Sequence, residues 1–218
     1  MHKILGLLLV LALLSPAVAI DKTGLFSFGA RAGFWIPFGE YYEAMTSEGL
    51  LGANIGFGLS EAWSIFLRGE YIFNTQNDDY FDSAYPDRGK PGFDFWNASM
   101  GVRWNLTPRA RFDPFVQIGG SYYAPAVYTG IDTNEDGFFE ELSDQLDPDV
   151  EAVFGANFTI GGEFFTEASM SLELELGYGV LFDYPVPRRN TTDDLRYYYY
   201  ENQTLHLMNI VFGVNLYL

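Results

Sequence analysis

From residue 26 onward, apolar and polar positions alternate with a period of two. In the first such stretch Phe26, Phe28, Ala30, Ala32, Phe34 and Ile36 share one face, while Ser27, Gly29, Arg31 and Gly33 share the other. Successive side chains of an extended chain point to opposite sides, so the pattern predicts a strand from Phe26 to Ile36. The same period predicts seven more: Leu50 to Leu59, Trp63 to Phe73, Trp96 to Leu106, Phe112 to Ala124, Ala152 to Phe164, Met170 to Phe182 and Leu205 to Leu218.

The connections alternate in length. Residues 60–62, 107–111 and 165–169 are tight turns, whereas residues 37–49, 74–95, 125–151 and 183–204 are long. An even number of strands joined in this way predicts an all-β fold, an eight-stranded antiparallel up-and-down transmembrane β-barrel with both chain ends at the short-turn rim. The placement of charge selects this over a soluble barrel. On the face carrying Phe26, Trp63, Trp104, Ile118, Phe158, Leu174 and Phe212, the eight stretches hold no Asp, Glu, Lys or Arg, and His206 is the nearest exception. The opposite face carries Arg31, Arg68, Glu70, Arg103, Asp113, Glu163, Glu173 and Glu175 with Asn54, Asn97, Gln117, Asn157 and many glycines. A soluble ligand-carrying barrel would keep its apolar residues inside and its charges outside.

Aromatic residues gather at strand ends: Trp63, Trp104, Phe112 and Phe164 toward the short turns, and Phe34, Phe73, Trp96, Tyr122 and Phe182 toward the long connections. They predict two interfacial girdles. Facing inward, Arg31, Arg68 and Arg103 are expected to form a charge network with Glu70, Glu163, Glu173 and Glu175. Eight strands enclose only enough room for side chains to fill, so the polar interior is expected to be plugged. The alternative is a narrow or gated pore lined by the same charges.

Composition adds the address. Met1 to Ala19 has a basic start at His2 and Lys3, an apolar run from Ile4 to Leu14, a break at Ser15-Pro16 and the ending Ala17-Val18-Ala19. This reads as a cleavable signal peptide over 1–19, followed by a barrel over 20–218. The apolar run falls short of the roughly 20 residues a spanning helix needs. With no cysteine, neither a lipid anchor on that residue nor a disulfide framework is available. Without Lys3, 11 basic face 29 acidic side chains, a formal charge of −18 that argues against nucleic acid or anionic lipid as a direct partner.

The last stretch, Leu205-His206-Leu207-Met208-Asn209-Ile210-Val211-Phe212-Gly213-Val214-Asn215-Leu216-Tyr217-Leu218, resembles the C-terminal signal of outer-membrane barrels, with Gly213, Leu216 and Leu218 at the matching positions. Leu218 stands where the usual final residue is aromatic. The whole mature chain is similar to the outer-membrane β-barrel domain family, which includes the transmembrane barrel of outer membrane protein A and outer membrane protein X. The resemblance implies localisation in a bacterial outer membrane, outer-membrane lipid as surroundings, insertion by the barrel assembly machinery and a monomer.

Most of the acidic surplus lies in the long connections. Asp132-Thr133-Asn134-Glu135-Asp136-Gly137 fits the first half of a calcium loop, with oxygen ligands at alternate positions and glycine at the sharp turn. Asp132, Asn134, Asp136, the Phe138 carbonyl and Glu140 would be the ligands for Ca2+, although Ser143 replaces the bidentate glutamate of the twelfth position. The bland reading is a solvated acidic loop with Asx turns. Tyr197 to Tyr200, beside Arg188, Arg189 and Arg196, suit either an outer rim anchor, which is favoured, or a binding patch for an unidentified extracellular ligand.

Three functions compete. The first is a non-enzymatic surface barrel with an envelope-structural or surface-binding role; the second is a small pore; the third is a lipid-modifying enzyme. Enzymatic acyl transfer needs a base beside a nucleophile. His206 is the one histidine after processing and is expected on the lipid side, whereas Ser27, Ser64, Ser99, Ser121 and Ser171 are expected to point inward, so no enzymatic role is assigned.

Overall fold

A computed structural model describes residues 20–38, 47–73, 91–129, 152–189 and 198–218. Eight strands close into one barrel: β1 (Phe26–Phe38), β2 (Glu48–Gly58), β3 (Trp63–Ile72), β4 (Pro91–Asn105), β5 (Phe112–Thr129), β6 (Val153–Glu167), β7 (Met170–Arg189) and β8 (Tyr198–Tyr217). Each strand runs antiparallel to the next, and β8 returns to β1 through pairs such as Ala30↔Val214 and Phe38↔His206. Closure removes the open sheet edge, a requirement wherever surrounding hydrocarbon offers backbone groups no water. The signal segment, the calcium-loop pattern from Asp132 to Glu140 and Tyr197 lie outside the described residues.

The expected alternation is observed. Outward side chains such as Phe28, Leu67, Met100, Ile118, Phe154 and Phe212 are exposed, while the inward neighbours Arg31, Arg68, Glu163, Glu173 and Glu175 are buried. Trp63 and Trp104 stack across β3 and β4 with ring centroids 5.9 Å apart. At the other rim Tyr71 packs edge-on against both Phe73 and Trp96, at 5.0 and 4.7 Å. From Trp63 to Phe73 there are ten residue steps. At about 3.4 Å per residue and a tilt of about 40°, this is a belt about 25 Å tall, the height of an outer-membrane apolar band.

Four strands run at least four residues longer than the periodicity predicts. β4 and β5 stay paired out to Pro91↔Thr129, and β7 and β8 to Arg189↔Tyr198 after a register shift between Leu181 and Tyr184. Asp183 takes the left-handed backbone at that shift, with φ 54°. Proline, glycine and aspartate in these segments resemble loop sequence. They are tolerated because the ribbons have run past their neighbours: β3 last meets β4 at Ile72↔Phe95, and β6 last meets β7 at Gly155↔Leu181. Proline is confined to such edges because it lacks a donor.

The charge-free outer face needs one correction. With β4 beginning at Pro91, Asp94 falls on the outward face of a strand, beyond Trp96, where it accepts a hydrogen bond from the Tyr71 hydroxyl. Its place beyond the aromatic girdle removes the penalty of a charge in hydrocarbon, and within the girdles the face is free of Asp, Glu, Lys and Arg.

Candidate functional site

The chemistry of the described residues is concentrated in the lumen, which is stratified. At the short-turn end, Asp113 on β5 and Glu163 on β6 are fully buried and face each other across the ladder. Lys22, which precedes β1, reaches both with its ammonium group, at 2.8 Å from Asp113 and 2.9 Å from Glu163, and donates to Asn105 Oδ1 at 3.1 Å. Glu163 also accepts hydrogen bonds from the hydroxyls of Ser171 and Tyr217. The other oxygen of Asp113 accepts the Thr107 amide at 3.1 Å and so ties the β4–β5 turn to the lumen.

The middle layer holds the expected charge network. Arg31 Nε lies 2.8 Å from Glu70, and Arg31 Nη2 lies 2.6 Å from Glu175. Arg68 reaches the second oxygen of Glu175 at 2.6 Å and also donates to Gln117. Arg103 bridges downward, 2.7 Å from Glu173 and 3.5 Å from Glu163. All seven sequence-selected residues therefore take part in lumen ion pairs, which Lys22 and Asp113 extend to the rim.

Apolar stems and rings share the space. The Arg103 guanidinium lies 3.5 Å from the centroid of the Phe115 ring, and that of Arg68 lies 4.2 Å from the centroid of Phe66. A Cβ at Gly161 would collide with the Phe115 ring, so the missing side chain makes room for this stack. Delocalised guanidinium groups sit on aromatic faces while pairing in plane with carboxylates, which a lysine could not reproduce. Removing one partner from such a set leaves a buried charge uncompensated, at a cost of about 3–5 kcal/mol.

Toward the long connections the interior changes character. Trp35, Leu50, Ile72, Phe95, Tyr123, Val153, Leu181, Tyr184, Leu205, Leu207 and Val211 form a buried cluster inside the barrel. Phe95 lies 5.9 Å from Trp35 and 5.6 Å from Tyr184, centroid to centroid. The expectation of a polar interior is thus corrected for this end. Apolar residues on both faces of the strand ends, as in Phe34-Trp35-Ile36, were the available signal.

His206 sits on the outer wall opposite Phe38, with Nδ1 2.7 Å from the Tyr178 hydroxyl and its ring stacked on Tyr178. Ser99, Ser121 and Ser171 are buried in the lumen, on the other side of the sheet. At the short-turn rim Arg109, with φ 72°, pairs with Glu61 and lies 3.7 Å from Asp21. Hydrogen bonds from the Thr23 side chain and amide hold the Asp21 carboxyl below its ordinary range.

No family model and no curated protein matches this chain. Solved structures do share its fold. Neisserial surface protein A superposes with a TM-score of 0.56 at 11% identity, covering 88% of this chain and 98% of that one. Outer membrane protein OprG from Pseudomonas aeruginosa gives 0.53 at 10%, covering 91% and 98%. A major outer membrane protein from Thermus thermophilus gives 0.52 at 12%, covering 90% and 100%. The fold is that of the small outer-membrane β-barrels.

Proposed function

We propose that this chain is a bacterial outer-membrane β-barrel with a closed lumen and no enzymatic role, which acts in envelope structure or in surface binding through its long connections. The observation that carries this reading is the inversion of polarity: an ionic network is buried inside while Leu67, Met100, Ile118 and Phe158 stand exposed outside. An apolar wall of this height is stable only against lipid. Two features support closure. Paired side chains fill the lower and middle lumen, and the apolar cluster above them would exclude ions by excluding water. His206 has a tyrosine hydroxyl as its ring partner and lies across the sheet from the lumen serines, which supports a non-enzymatic reading.

Insertion of the refolded mature chain into a planar bilayer tests closure. Silence at all holding potentials is expected, and a steady open conductance would replace the closed barrel with the narrow pore. Fractionation of cells tests the address, with recovery in the outer membrane expected. The sequence pattern from Asp132 to Glu140 adds calcium to this proposal. Calorimetric titration of the refolded barrel is expected to give heat at millimolar calcium, and its absence would remove the metal.

A further inference from the structure

Residues 20–25 do not trail from the barrel rim. The Lys22 carbonyl accepts the Leu25 amide at 3.0 Å, which folds the segment on itself around Gly24 at φ 75°. Gly24 donates to the Gly58 carbonyl at 2.8 Å, and Gly58 donates to the Leu25 carbonyl at 3.0 Å. Ile20 is buried against Phe165 and Tyr217, with Leu25 packed beside them. The course depends on Gly58, because a Cβ there would strike the Lys22 carbonyl group, whose carbon would lie 2.7 Å away.

We propose that Ile20–Leu25 is a tethered stopper, whose Lys22 ammonium occupies a seat built by Asn105, Asp113 and Glu163 and thereby closes the short-turn mouth of the lumen. The inference rests on the closed-lumen reading and names the element that closes this end. Two carboxylates from neighbouring strands converge on one ammonium carried by a segment that belongs to no strand. Among the described residues a cavity of about 20 Å³ lies against the segment, bordered by Lys22, Ser27, Ser64, Arg103 and Tyr217. Space of that size admits about one water molecule. Withdrawal of the segment would let water reach Asp113 and Glu163 and solvate them, so opening does not strand their charges in a dry interior. A strand of the barrel could not leave in this way without breaking ladder hydrogen bonds on both sides.

The chain has no cysteine, so an introduced one is the sole thiol. Ser64→Cys borders the stopped cavity and Ala168→Cys is an exposed control at the same rim. A charged thiol reagent is expected to label Ser64→Cys slower than Ala168→Cys by an order of magnitude or more in the refolded barrel. Adding Lys22→Met, which removes the ammonium, or Gly58→Val, which obstructs the segment and leaves every charge in place, is expected to bring the two rates together. Folding of each variant is verified by circular dichroism, and Gly58→Val carries the test should Lys22→Met not fold. Equal rates in the chain with Lys22 and Gly58 intact would overturn the stopper. So would protection of Ser64→Cys that persists in the folded variants. Bilayer conductance reports on the lumen as a whole, so an open pore and a missing stopper give different results.

Discussion

Glu163 and Glu173 face each other across the β6–β7 ladder, and one Arg103 guanidinium holds both carboxylates, at 3.5 and 2.7 Å. Like charges directly opposite on a sheet repel. The pair is tolerated because Arg103 reaches across from β4, two strands from β6 and three from β7, a contact that the curvature of the barrel creates, and because Lys22 also pairs with Glu163. Arg103→Met is therefore expected to destabilise the barrel by about 3–5 kcal/mol, through carboxylates left without their counter-charge. Adding Glu173→Gln should recover part of that loss. Equilibrium unfolding in urea with the barrel in lipid vesicles reads both, and a single variant as stable as the parent would refute the network's role.

The apolar cluster at the opposite end should respond as a packed core. Phe95 is 1% exposed between Trp35 and Tyr184, so Phe95→Ala is expected to cost about 3–5 kcal/mol. The same unfolding measurement applies. A loss below about 1 kcal/mol would mean that this end is loosely filled, since deletion of a well-packed ring leaves an uncollapsed cavity.

On the outer wall, depth sets the penalty. Met100 is 67% exposed between Trp96 and Trp104 on the same face of β4. Met100→Arg at mid-height is expected to cost about 2–4 kcal/mol in a bilayer, and Trp63→Arg at the rim about 0–1 kcal/mol from its charge. Folding titrations in vesicles compare the two. Equal penalties would contradict the assignment of this wall to lipid.

The extension of β7 and β8 past the rim makes residues 184–189 part of a ladder. Their backbone amides that face β8 are expected to exchange with deuterium more slowly than those of an unstructured peptide, because each is hydrogen-bonded. Proline at 185 and 187 carries no amide N–H, and since N–H groups along a strand face alternate edges, Tyr184, Val186 and Arg188 form the set that reports. Exchange at the peptide rate throughout would return this segment to the loop that its sequence suggests.

Much of the architecture is legible in local pattern. Strand number, short-turn positions and the inside or outside address of Arg31, Arg68, Glu173 and Phe212 follow from a two-residue period, since a pleated strand allows each side chain only two directions. Strand ends were harder to read. Asp94, Asp183, Pro185 and Pro187 are poor strand formers, and only cross-strand pairing with Ala126, Asn202 and Tyr200 or a register shift beside it places them in or against a ladder.

Lys22 shows the other limit. It precedes the first alternating stretch and carries no periodicity, so nothing local assigns it to the lumen. Its neighbours Asp113 and Glu163 lie 91 and 141 positions away. The apolar filling at the far end was hidden for a related reason, because Trp35, Phe95 and Leu207 sit beside outward apolar residues and blur the alternation. The sequence by itself determined which face each strand residue takes, because backbone stereochemistry acts over two residues. Closure alone decided which inward groups meet, since that depends on the stagger of strands that are distant along the chain.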